Sequence, residues 1–149
     1  MRRIISNTSC LIALSNIGRL DILRALYGTV IVTPEVSGEF GIGLPDWIQV
    51  VPVSDPSKTK LIQGVLDLGE SSSIALALET DDPLLILDDG KARKYAKSIG
   101  LTLTGTIGVV VKAKQSGYVA DSIETIMTEF RNNGFHIPPE IEKILRDSI

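Results

Sequence analysis

The chain has 149 residues, 44% hydrophobic and 22% charged, with a formal net charge of −3 and a pI near 5.1. That length fits one domain with a sizeable core, and the composition excludes disordered and low-complexity classes. The acidic balance argues against a general nucleic-acid binder while leaving room for a local basic rim. The lone Cys10 and lone His136 exclude an internal disulfide, a cysteine zinc cluster and a multi-histidine metal site, and argue against a Ser-His-Asp triad.

Taken in chain order, Arg2 and Arg3 precede only Ile4 and Ile5 before polar Ser6 and Asn7, too short a core for a secretion signal. No apolar run approaches the ~20 residues of a membrane-spanning helix, so a cytoplasmic protein without a membrane partner is expected. Residues 3–6 read as a buried strand, and Asn7-Thr8-Ser9 supplies capping chemistry for a helix over 10–14. A second helix is predicted over 18–26, with Leu20, Leu23 and Leu26 at helical spacing and Gly28 as its stop. Residues 29–33 form the clearest strand, and Pro34 opens a helix to about Phe40. This β-α-β-α opening marks a parallel sheet with crossover helices.

Residues 41–58 are loop-like around one apolar run, 47–53, that reads as an edge strand. Residues 60–66 give one or two helical turns, and Gly69 opens a strong helix over 70–79. The run 84–87 is an apolar strand of the buried parallel type, ending at Asp88-Asp89-Gly90. A helix over 91–99, a strand over 101–103 and a helix from Thr106 to Gln115 follow. Asp121 is expected to cap a helix to Arg131, and Pro138-Pro139-Glu140 to begin the last, with Ile141, Ile144 and Leu145 on its apolar face. The expectation is one α/β domain over 1–149 with a C-terminal helical pair at about 121–149.

Ligands of such sheets bind beyond the carboxyl ends of the strands. There the sequence places Asn7, Thr8 and Ser9, then Asp88 and Asp89, with Glu39 and Glu70 on helices that follow. Each has a structural use as well: Glu70 suits a helix N-terminus, Asp88-Asp89-Gly90 a capped turn, Asn7-Thr8-Ser9 a cap, and Glu39 water. Adjacent carboxylates directly after a buried strand invite repulsion or a cation.

Residues 4–14, Ile-Ile-Ser-Asn-Thr-Ser-Cys-Leu-Ile-Ala-Leu, resemble the opening of PIN domains, where an Asp-Thr-Ser segment follows the first strand. Residues 30–36 with Glu39 resemble their second strand and acidic helix, and 66–70 through Ala77 the Gly-Glu helix of a PIN-like group. Residues 85–93 and 104–108 complete the likeness, which covers 1 to about 120. It implies a three-layer α/β/α fold around a mostly parallel sheet of four or five strands. It further implies a Mg²⁺- or Mn²⁺-dependent endoribonuclease acting on single-stranded RNA, commonly the toxin of a toxin–antitoxin pair. On that pattern Glu39, Glu70 and Asp88 are the catalytic carboxylates. They bind metal with Asn7, and Asp89 is the alternate to Asp88. Thr8, Ser9 and Thr106 would bond a carboxylate or a phosphate oxygen. Lys91 and Arg93, with Lys94 and Lys97, would steer phosphates or form a solvated helix face. A small antitoxin and a homodimer through helices of the first half are further implications.

The family pattern has aspartate where this chain has Asn7. An amide oxygen still coordinates a hard cation but brings no charge. The missing Coulomb term is on the order of 4 kcal/mol at ~4 Å and an effective dielectric near 20. The alternative to a weakened enzyme is a catalytically silent PIN-like module that binds RNA or a protein partner.

Overall fold

The apolar runs read as strands pair into a single sheet. In a computed structural model describing residues 2–147, the chain forms β1 (Arg3–Ser6), α1 (Thr8–Asn16), α2 (Asp21–Tyr27), β2 (Val30–Val32), α3 (Pro34–Phe40), β3 (Ile48–Val50), α4 (Pro56–Ile62), α5 (Leu68–Leu78), β4 (Pro83–Ile86), α6 (Gly90–Ser98), β5 (Thr102–Thr104), α7 (Thr106–Gln115), α8 (Ile123–Asn132) and α9 (Pro139–Asp147). Every strand pairing is parallel, in the order β3-β2-β1-β4-β5.

Side chains alternate across this sheet and divide the core in two. Ile4, Val30, Val32, Leu84 and Ile86 face one side, where α1, α2, α3, α7 and α8 contribute Leu11, Leu14, Leu23, Val36, Val109 and Phe130. Ile5, Ile31, Leu85 and Leu87 face the other, against Ile62 of α4, Ile74 and Ala75 of α5 and Ala92 of α6. Burying each large apolar side chain contributes about 1.5–3 kcal/mol, so both faces require helices. The three-layer α/β/α architecture expected from the sequence is the one observed.

The chain lays β1, β2 and β3 to one side, then returns to place β4 against the free edge of β1. Strand order therefore reverses between β1 and β4, the switch point beyond whose carboxyl ends open α/β sheets bind ligands. Register fixes what arrives there. Ile5 aligns with both Ile31 and Leu85, and Leu85 with Leu103. Asn7 N–H donates to Ile86 O at 3.0 Å, which carries the pairing one step past β1.

Some boundaries differ from the sequence reading. The helix expected over 60–66 begins at Pro56, because Asp55 caps it by accepting from Ser57 N at 3.1 Å. α8 is capped by Ser122, whose Oγ accepts from Thr125 N, and Asp121 instead pairs with Arg19. Asp67, two residues before Gly69, is the cap of α5. In the C-terminal helical pair, Arg131 of α8 pairs with Glu142 of α9. Ile141 and Leu145 pack on the α1 side of the core, whereas Ile144's side chain, Met1, Ser148 and Ile149 lie outside the described residues. No described helix is long and apolar enough to cross a membrane.

Candidate functional site

Asn7 is the hinge between β1 and α1. It occupies the cap position with extended backbone, yet its side chain makes no capping bond. The residue is 5% exposed and its Oδ1 is buried without a hydrogen-bond partner. A buried acceptor left unpaired is costly, so simple helix capping does not explain this residue.

The next two residues also turn away from capping. Thr8 Oγ1 donates to Glu39 Oε1 at 2.5 Å, and Ser9 Oγ donates to Asp88 Oδ2 at 3.0 Å. Two consecutive hydroxyls thus hold two carboxylates that lie far apart in sequence, one from α3 and one from the end of β4. Asp88 receives two further bonds, from Thr106 N to Oδ1 at 2.8 Å and from Thr106 Oγ1 to Oδ2 at 2.6 Å. Gly105 permits this approach, since a Cβ there would stand 2.9 Å from Asp88 Oδ1.

Glu39 lies on the other shoulder of the site. A Cβ at Gly69 would overlap its Oε1, so glycine at 69 is what lets α5 come up against this carboxylate. Glu70 follows at once and is 8% exposed. Its backbone N–H is capped by Asp67 Oδ1 at 2.9 Å. Burial, then the charges of Asp67 and Asp89, push the Glu70 carboxyl up to about 7. Burial and then the charge of Asp88 likewise push the Cys10 thiol up to about 12, which keeps it protonated and unreactive.

Other expected residues take different places. Asp89 caps α6, its Oδ2 accepting from Ala92 N at 2.9 Å, so one of its oxygens is committed to the helix. Arg93 is half-buried, and its Nη1 donates to Leu87 O at 2.7 Å near the Asp88 edge. Lys91, Lys94, Lys97 and His136 are exposed. Two acids at this rim carried no assigned role in the sequence reading. Asp67 was legible as a cap three residues before Glu70; Glu35, one turn before Glu39 in α3, has a buried Oε2 with no partner.

Asn7, Thr8, Ser9, Glu39, Asp88 and Thr106 follow the carboxyl ends of β1, β2, β4 and β5 and meet at one rim. A family model described as a PIN domain, DUF3368, matches residues 3–148. The chain belongs to the PIN-domain family. No curated protein and no solved structure matches it. A PIN domain is a nuclease-type fold, and PIN domains generally use divalent metal ions.

The rim of this PIN domain offers oxygen donors only, the chemistry that suits a hard cation. The orphaned Asn7 Oδ1 fits the same demand, because a cation satisfies a buried acceptor that no donor reaches. In spacing, the rim is not a ready cage. Among the described residues no three Asp, Glu, His or Cys side chains stand so as to hold one ion, so the three-way convergence of Glu39, Glu70 and Asp88 expected from the sequence is not met as the side chains stand. Like charges repel, and two of the three carboxylates accept from neutral donors, Glu39 from Thr8 and Asp88 from Ser9 and Thr106. The donors fit in kind; sharing an ion requires them to re-aim.

Proposed function

We propose that this chain is a metal-dependent endoribonuclease acting on single-stranded RNA in the cytoplasm, as the toxin of a toxin–antitoxin pair. The observation that supports it most is the paired support directly after Asn7 in the chain, where Thr8 holds Glu39 and Ser9 holds Asp88 while the buried Asn7 Oδ1 has no partner. Glu39, Glu70, Asp88 and the Asn7 amide oxygen would hold Mg²⁺ or Mn²⁺, with Asp89 as the alternate to Asp88. Such an ion supplies charge neutralisation at a phosphate and a water acidic enough to attack it.

The chain's own residues do the positioning. Thr106 fixes both oxygens of Asp88, and Thr8 fixes Glu39. Arg93 spends Nη1 on the Leu87 carbonyl, leaving its remaining N–H groups to meet a phosphate beside Asp88. Lys91, exposed in the first turn of α6, adds cationic steering at the same edge. Asn7 lowers the charge of the set, so weak metal affinity and slow turnover are expected.

The uncharged Asn7 and the absence, among the described residues, of a ready trio of ligands favour a second reading, a catalytically silent module that binds RNA or a protein partner. An RNA cleavage assay separates the two. Cleavage of single-stranded RNA that needs Mn²⁺ or Mg²⁺, stops with chelator and disappears in Asp88→Ala supports the enzyme. Clean protein showing no chelator-sensitive cleavage of any nucleic acid leaves the silent module. Light scattering tests the homodimer expected through helices of the first half, and co-purification tests the small antitoxin.

A further inference from the structure

Two buried side-chain oxygens among the described residues have no hydrogen-bond partner, Asn7 Oδ1 and Glu35 Oε2. Their positions are linked by the sheet. Ile5 pairs with Ile31, so Asn7 at the end of β1 stands level with Thr33 at the end of β2, on strands about 4.8 Å apart. Thr33 caps α3 by accepting from Val36 N at 3.2 Å, and Glu35 follows two residues later in the first turn of that helix. Glu39 lies four residues beyond Glu35, on the same helix face, and already reaches Thr8. Among the described residues Glu35 has no ion pair with a lysine or arginine. Glu35 is half-buried, and it is Oε2 that is shut away from water and from donors, an acceptor that a cation would satisfy.

We infer that Glu35 carries the charge that Asn7 lacks: its carboxylate joins the Asn7 amide oxygen as a ligand of the divalent cation, so that the site has moved a negative charge from β1 to α3. The inference rests on the metal-dependent reading above. It explains both orphaned oxygens with one ligand, and it gives Asn7 a role other than inactivation. Thr33, bonded to Ser72 of α5 at 2.7 Å, holds the start of α3 in the position this requires.

Calorimetric titration of the full chain with Mn²⁺ tests this, on the natural protein, Glu35→Gln, Asn7→Asp and the double variant. Thermal unfolding without metal checks that each is folded. Glu35→Gln is expected to weaken Mn²⁺ binding on the order of 10-fold or more through loss of a ligand charge. Without metal it is expected to unfold no lower than the natural protein, because the carboxylate oxygen it replaces has no hydrogen-bond partner to lose. Asn7→Asp in the Glu35→Gln background is expected to restore affinity to within about threefold, the non-additivity that marks one shared charge. A purely structural Glu35 would show no such rescue. Should Glu35→Gln fail to fold, Glu35→Asp replaces it, with weakened binding expected and unchanged binding contradictory. Natural protein that binds Mn²⁺ while Glu35→Gln binds it equally well overturns this inference and leaves the metal-dependent reading intact. Natural protein that binds no Mn²⁺ at millimolar concentration overturns both.

Discussion

The carboxylate of Glu39 lies directly against the Cα of Gly69, so closely that any side chain at 69 would overlap Oε1. This contact joins α3 to α5 at the rim and makes the glycine a requirement of the site. Gly69→Ala is expected to push Glu39 off Thr8, costing about 1–3 kcal/mol of stability by overpacking and weakening Mn²⁺ binding. Denaturant unfolding and calorimetry measure both. Unchanged stability together with unchanged affinity would show that Glu39 does not need its place beside α5.

Thr106 gives Asp88 two of its three hydrogen bonds and is itself fully buried. Thr106→Val keeps the volume and the backbone N–H bond but deletes the hydroxyl. It is expected to destabilise the fold by about 1–3 kcal/mol and to lower RNA cleavage, while Thr106→Ser retains most of both. Equal loss in the serine and valine variants, read by unfolding and cleavage side by side, would assign the effect to packing and not to the Asp88 bond.

Glu70 makes stability depend on pH. Its carboxyl titrates near 4.5 when free and at about 7 in the fold, raised first by burial and then by Asp67 and Asp89. The folded state therefore binds the proton more tightly, so this group's contribution is fully present below about pH 4.5 and is lost as pH rises through about 7. In chelator, stability attributable to Glu70 should fall across that window, and Glu70→Gln should remove the fall. Parallel pH profiles of denaturant midpoint in the two proteins would refute the assignment.

The sheet was legible because its strands are runs of Val, Ile and Leu bounded by Gly, Pro and Asp, and the alternation of Ile4 with Ile5 or Leu84 with Leu85 sorts them onto two faces. Chain order of the motifs points to the family, and with it to the rim residues Thr8, Ser9, Glu39, Asp88 and Thr106. Residue type alone does not show direction. Asn7, Thr8 and Ser9 read as capping chemistry, yet none of the three side chains caps; those of Thr8 and Ser9 answer to Glu39 and Asp88, residues brought near only by folding, and Asn7 Oδ1 meets no donor. Asp89 had the opposite fate, a candidate ligand that caps α6. Glu35 stands in the same acidic helix segment as Glu39, yet nothing in a sequence distinguishes an exposed first-turn glutamate from one with a buried, unpartnered oxygen.

Anomalous diffraction from a crystal soaked in Mn²⁺ tests most directly whether these rim oxygens share an ion. The expected result is a peak within bonding distance of Asp88 and Glu39 and of the Asn7 amide oxygen, with Thr8 or Ser9 released from its carboxylate as the ligands re-aim. A soaked crystal whose Mn²⁺ sits elsewhere, with Glu39 still on Thr8 and Asp88 still on Ser9 and Thr106, would contradict it.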